Sequence, residues 1–88
     1  MHHYAHPEVV KRLRRAEGHL RTVIAMVQEE RPCLDLAQQL QAIESAIVNA
    51  KKALIHDHIT HCIQESLKAP GRRGKAALKE FAAIAKYL

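Results

Sequence analysis

The chain has 88 residues, a formal net charge of +5 and a pI of about 9.6, and although 48% of it is hydrophobic, aromatics supply only 3% and Trp is absent. One small helical domain spanning residues 1–88 is the expectation, with an aliphatic core modest enough that oligomerisation is a natural supplement. No apolar run approaches the roughly 18 residues of a membrane span. No basic segment followed by an apolar stretch marks a secretory leader either, so the chain reads as cytoplasmic, with its two cysteines as reduced thiols.

Residues 1–6, Met-His-His-Tyr-Ala-His, form a flexible His-rich arm. Pro7 suits the first turn of a helix, where its missing N–H costs nothing. Val9, Leu13, Ala16, Leu20, Val23 and Val27 then recur at spacings of 4, 3, 4, 3 and 4, predicting a first helix to about Glu29. Gly18 lies inside it at a cost of about 1 kcal/mol relative to Ala, which a close helix approach would explain. Arg31-Pro32 ends the pattern. A second seam follows at the same spacings, through Leu36, Leu40, Ile43, Ile47, Ala50 and Leu54, and continues into His58 and towards Cys62. This second helix is predicted at about 33 residues, or about 50 Å. So long a helix in so short a chain cannot be covered by its own neighbours, and an antiparallel four-helix bundle made from two chains supplies the cover. Ala69-Pro70-Gly71-Arg72-Arg73-Gly74 reads as a basic, turn-rich linker. A third helix is expected over about Lys75–Leu88, with Leu78, Phe81, Ala82, Ala85 and Leu88 on one face. The fold class is all-α, with three helices per chain.

His58 and Cys62 stand four residues apart on one helix face, so imidazole nitrogen and thiolate sulfur can reach one metal ion. Cys33 lies about 25 residues away along the same helix, nearly 40 Å at about 1.5 Å per residue, and cannot join them within one chain. In an antiparallel dimer, Cys33 of one chain meets His58 and Cys62 of the other. Sulfur with imidazole suits Cu(I), Ni(II), Co(II) or Zn(II) better than Mg or Ca. The plain alternatives are a small buried hydrophobe at each Cys and an ordinary surface His. In the arm, a retained Met1 amine, two amides and the imidazole of His3 can bind Ni(II) or Cu(II) in a square plane; otherwise the arm is a polar tail. His61 reads as an outer partner or bystander, and His19 and His56 as surface or packing residues.

Lys11, Arg12, Arg14 and Arg15 crowd the first helix, Lys51 and Lys52 lie midway along the second, and Arg72 and Arg73 precede the third. They are either solvated helix faces or contacts to DNA phosphates. No helix-turn-helix, zinc finger or aromatic RNA platform accompanies them. No nucleophile motif, phosphate loop or carboxylate pair points to an enzyme or to an organic cofactor.

The stretch Arg12-Leu13-Arg14-Arg15-Ala16-Glu17-Gly18-His19-Leu20 resembles the first-helix signature of the copper-sensing and nickel/cobalt-sensing repressors (CsoR/RcnR family). Cys33, Gln39-Leu40-Gln41-Ala42-Ile43, His58 and Cys62 continue the likeness over nearly the whole chain. The resemblance implies a disc-shaped tetramer of two antiparallel dimers. It also implies repression of a metal-efflux operon by operator binding, relieved when metal binds. Cys33, His58 and Cys62 match the copper sensors' ligands, whereas the nickel/cobalt sensors add ligands from the arm, here His2, His3 or His6. The His-rich start favours Ni(II) or Co(II), with Cu(I) second. A persulfide sensor using Cys33 and Cys62 ranks third, since His58 is superfluous to it. A formaldehyde sensor is disfavoured by His2, where those relatives carry proline. A non-regulatory basic helical scaffold is the alternative from a different class.

Overall fold

The computed structural model describes residues 6–68 and 71–88, without the side chains of Cys62, Glu65, Ser66, Arg72 and Arg73. The described residues form three α-helices and no strand: α1 (Pro7–Gln28), α2 (Cys33–Lys68) and α3 (Arg72–Ala85). No helix among them is long and apolar enough to cross a membrane. They divide into two compact units, one ending at Lys51 and one beginning at Lys52.

The first unit is a hairpin of α1 and the N-terminal half of α2. Pro7 opens α1 as expected, and the Val10 N–H donates to the His6 carbonyl at 3.0 Å. At the other end Glu30 takes a left-handed φ of 58°. Its N–H donates to the Val27 carbonyl, and that of Arg31 reaches back to Met26 at 3.1 Å. This is a Schellman close with Glu where Gly is usual, followed by Pro32 to stop the helix. The turn folds α2 back on α1, and the Pro32 carbonyl accepts from Leu36 as α2 begins.

The hairpin core uses every second member of each predicted seam. Val9, Ala16 and Val23 of α1 are buried, as are Ile43 and Ala50 of α2. Each buried Val or Ile contributes about 1.5–3 kcal/mol by its removal from water. The intervening members stay bare: Leu13 is 46% exposed, Leu20 42%, Leu40 48% and Ile47 49%. One seam of small and β-branched residues closes the hairpin, and a second line beside it is left exposed among the described residues. Gly18 does not mark a close approach here. A Cβ built on it meets only the Arg21 guanidinium, at 3.9 Å.

The second unit pairs the C-terminal part of α2 with α3. Its α2 contribution centres on buried Ile55. The third helix starts three residues earlier than expected. Gly71, at φ 86°, precedes it, the Lys75 N–H donates to the Gly71 carbonyl at 2.9 Å, and Arg72, Arg73 and Gly74 are already helical. Gly74 is buried in this first turn, where the absence of a side chain lets the backbone sit inside the unit. The covered face of α3 therefore runs through Gly74, Ala77, Phe81 and Ile84, not through the expected Leu78, Ala82 and Leu88, all of which are exposed. Helix α3 ends at Ala85, so Leu88 falls in the terminal turn beyond it.

Candidate functional site

The expected metal ligands divide between the two units. Cys33 is the first residue of α2, exposed and free. His58 lies on α2 in the second unit, and Cys62 follows one turn later on the same helix, its side chain outside the described residues. His2 and His3 also lie outside them, whereas His6 precedes α1 in a left-handed conformation, φ 46°. Among the described residues, no three His, Cys, Asp or Glu side chains converge on a metal position.

His58 is the best-defined member. Its side chain is only 18% exposed, and Nε2 lies 3.1 Å from Glu80 Oε1 on α3. The same Nε2 is buried and makes no formed hydrogen bond. The two facts describe a carboxylate close to the ring nitrogen but out of line with it. A small turn of the imidazole aligns the pair. A ring held this way on Nε2 has Nδ1 left for a ligand, the arrangement in which a carboxylate orients a metal-binding histidine. The residues fit a soft or borderline transition ion: sulfur at Cys33 and imidazole at His58 are its preferred donors.

The expected DNA contacts also separate. Lys11, Arg12, Arg14 and Arg15 are all exposed on α1, and Lys51 and Lys52 are exposed on α2. Arg72 and Arg73 belong to α3, with side chains outside the described residues. Arg12 and Arg15 share a concavity, a cleft of about 260 Å³ on the first unit, lined also by Ala16, His19, Ala46 and Asn49. Beside it, His19 Nε2 lies 2.6 Å from Gln39 Oε1, tying α1 to α2. A carboxamide oxygen can only accept, so this nitrogen carries the proton and donates.

Three features escape the sequence. Glu80 stands on a different helix from His58, and no spacing rule links them. Asn49 is polar among apolar seams and gave no motif. His19, assigned to surface or packing, holds the hairpin by a hydrogen bond. The helical spacing of Arg12, Arg15 and His19 was the available signal, since positions three and four apart share a face.

Comparison with known proteins adds an independent line. Residues 5–87 match the model of a family described as metal-sensitive transcriptional repressors. The chain is 37% identical over 80 residues to the copper-sensing transcriptional repressor RicR of Mycobacterium tuberculosis, covering 89% of this chain and 82% of that one. It is 32% identical over 74 residues to the copper-sensing transcriptional repressor CsoR of Bacillus subtilis, covering 84% and 71%. Among solved structures it is similar to the nickel-responsive transcriptional regulator InrS, with a TM-score of 0.82, 29% identity and coverage of 100% and 98%.

Proposed function

The chain belongs to the metal-sensitive transcriptional repressor family, and from that membership we propose that it holds operator DNA without metal and lets go when Ni(II) or Co(II) binds. As a family of transcriptional repressors its members are not enzymes, and their work is on DNA. In this reading residues 1–88 act as one metal-sensing, DNA-binding domain in the cytoplasm, controlling metal-efflux or resistance genes. Two antiparallel chains form a four-helix bundle, and two such dimers form the tetramer.

The observation that carries the reading is His58, with Nε2 buried beside Glu80 and its other nitrogen left for a ligand. Cys33 of one chain, with His58 and Cys62 of its partner, would hold the ion. The thiolates supply the soft donors and the imidazole a borderline one. The 36-residue length of α2 supports the crossing of chains, since Cys33 and His58 stand 25 residues apart in the same helix. The bare members of the two seams supply the surface on which a partner packs. Glu80 links His58 to α3, so a change at the imidazole is felt by a second helix. The basic residues Lys11, Arg12, Arg14, Arg15, Lys51, Lys52, Arg72 and Arg73 face the operator phosphates. Metal and DNA then oppose one another through linkage, each weakening the other by the same factor.

Metal choice rests on the arm. Ni(II) and Co(II) accept four to six ligands with more nitrogen, and His2, His3 and His6 can add to the three core ligands. Cu(I) is content with Cys33, His58 and Cys62 alone, and the copper-sensing relatives favour it as the second reading. The test is a gel-shift titration on a duplex that the metal-free protein selects from a random pool. Nickel or cobalt at one equivalent per site is expected to release the duplex, and deletion of residues 2–6 to weaken that release while sparing Cu(I) binding. Release by Cu(I) alone supports the copper reading, and release by a persulfide donor alone the thiol one. Full retention of DNA with every site metal-filled defeats the repressor reading and leaves a basic scaffold or metal store.

A further inference from the structure

The cleft on the first unit has a composition that its hairpin does not require. Its floor is small: Ala16 of α1 and Ala46 of α2 both line the cleft of about 260 Å³. Its walls are polar. Arg12 and Arg15 bring two guanidinium groups, Asn49 a carboxamide and His19 an imidazole. Among the described residues no carboxylate lines it, and neither Arg12 nor Arg15 makes an ion pair or hydrogen bond to the protein. Glu8 stands four residues before Arg12 on the same helix, within helical reach of it, yet does not neutralise it. The His19–Gln39 bond fixes the ring that forms one wall. Two unpaired guanidiniums beside a pocket floored by alanines match the charge of a tetrahedral oxyanion, for which the fork of Arg donors is the preferred partner.

We propose that this cleft is a discrete seat for one phosphate group, in which Arg12, Arg15 and Asn49 contact the oxygens and His19, pinned by Gln39, is a positioning residue. The phosphate comes either from the DNA backbone or from free inorganic phosphate. With DNA as the source, the proposal rests on the DNA-binding reading and sharpens it: the cleft sets register on the duplex, whereas Lys11 and Arg14 add only diffuse attraction.

The seat and a smeared charge differ in their response to changes that leave charge alone. Ala46→Leu fills the floor without altering net charge. Asn49→Leu, at an exposed position where folding is not at stake, removes a donor at nearly constant size. Arg14→Gln removes charge outside the cleft. The full-length protein is titrated with inorganic phosphate, and the side-chain resonances of Arg12, Arg15 and His19 are followed by NMR; each variant is then titrated with the selected duplex over a range of salt. Saturable phosphate shifts are expected in the wild type and in Arg14→Gln, and a loss of at least tenfold in phosphate affinity in Ala46→Leu and Asn49→Leu. Duplex affinity should fall about tenfold in both leucine variants, with the salt slope reduced by about the 0.9 that one phosphate contributes. Phosphate shifts that saturate in a wild type binding no duplex would sink the DNA reading while keeping the seat, with free phosphate as its ligand. Leucine variants that bind phosphate and duplex as the wild type does would overturn the seat and leave the DNA reading standing on diffuse charge.

Discussion

The two flanks of the α1–α2 hairpin make opposite demands. At about 100° per residue, Leu13, Leu20 and Ile24 of α1 fall to one side of the buried Val9–Ala16–Val23 line, and Leu40 and Ile47 of α2 to the corresponding side of Ile43 and Ala50. Arg12, Arg15 and His19 fall to the other side, with Ala46 and Asn49 across from them. The apolar flank lacks cover, and nothing in water satisfies it except more apolar surface. The basic flank lacks counter-charge, and a polyanion satisfies it. The same hairpin is thus closed along one thin line and unfinished on both sides. A chain built this way suits assembly by its packing and a polyanion by its charge, and the proposed function gives each role its own residues.

The comparison breaks most visibly at the apolar flank. Ile47→Asp places a charge where a partner chain is expected, forfeiting about 2–3 kcal/mol of burial per side chain before the cost of desolvating the carboxylate. A two-fold interface carries that loss twice. Sedimentation equilibrium should show monomer, and metal binding should go with the dimer. Retention of the wild-type mass would mean that the bare seam is not the interface. On the basic flank, Arg12→Ala with Arg15→Ala should lower operator affinity about tenfold or more for each phosphate no longer held, and shallow the salt slope. The mass should not change. A double variant that lost DNA and assembly together would show the flanks to be one surface.

A smaller effect is expected at His58. Replacing Glu80 with Gln keeps the size but removes the charge that orients the imidazole, and loss of such a partner typically costs about tenfold to a hundredfold in metal affinity. Competition with a chelator measures it, and the control is the unaltered mass of the dimer. Equal affinity in the variant would make the 3.1 Å contact incidental.

Much of this was legible from residue spacing, and the failures have physical causes. Seams at 4, 3, 4, 3 and 4 identified both long helices and the excess of apolar surface over what one chain can cover. They did not tell which seam members close the hairpin, because Leu13 and Ala16 are both apolar and differ only in how near they let two helices come. Ala16 and Ala50 are buried, and the longer Leu13, Leu20 and Leu40 are left outside. Around Gly71, turn residues looked like a linker, yet a helix tolerates Arg72, Arg73 and a buried Gly74 in its first turn, so α3 begins early and rotates its covered face away from Leu78. Glu80 was illegible since a contact between two helices leaves no trace in the spacing of either. The cleft was half legible: the arginines were counted, but Ala16 was read as seam and Ala46 gave no signal.

In the proposed function one chain holds only part of a metal site and its partner completes it. The direct measurement mixes a Cys33→Ala chain with a His58→Ala chain, refolds them together and counts metal by equilibrium dialysis. In the antiparallel pairing, one site of the mixed dimer loses both altered ligands and the other keeps Cys33, His58 and Cys62 intact. The expected result is half the wild-type stoichiometry in mixed dimers, at wild-type affinity, with neither parent variant binding alone. Mixed dimers that form and bind no metal, or a His58→Ala homodimer that binds as tightly as the wild type, would contradict it.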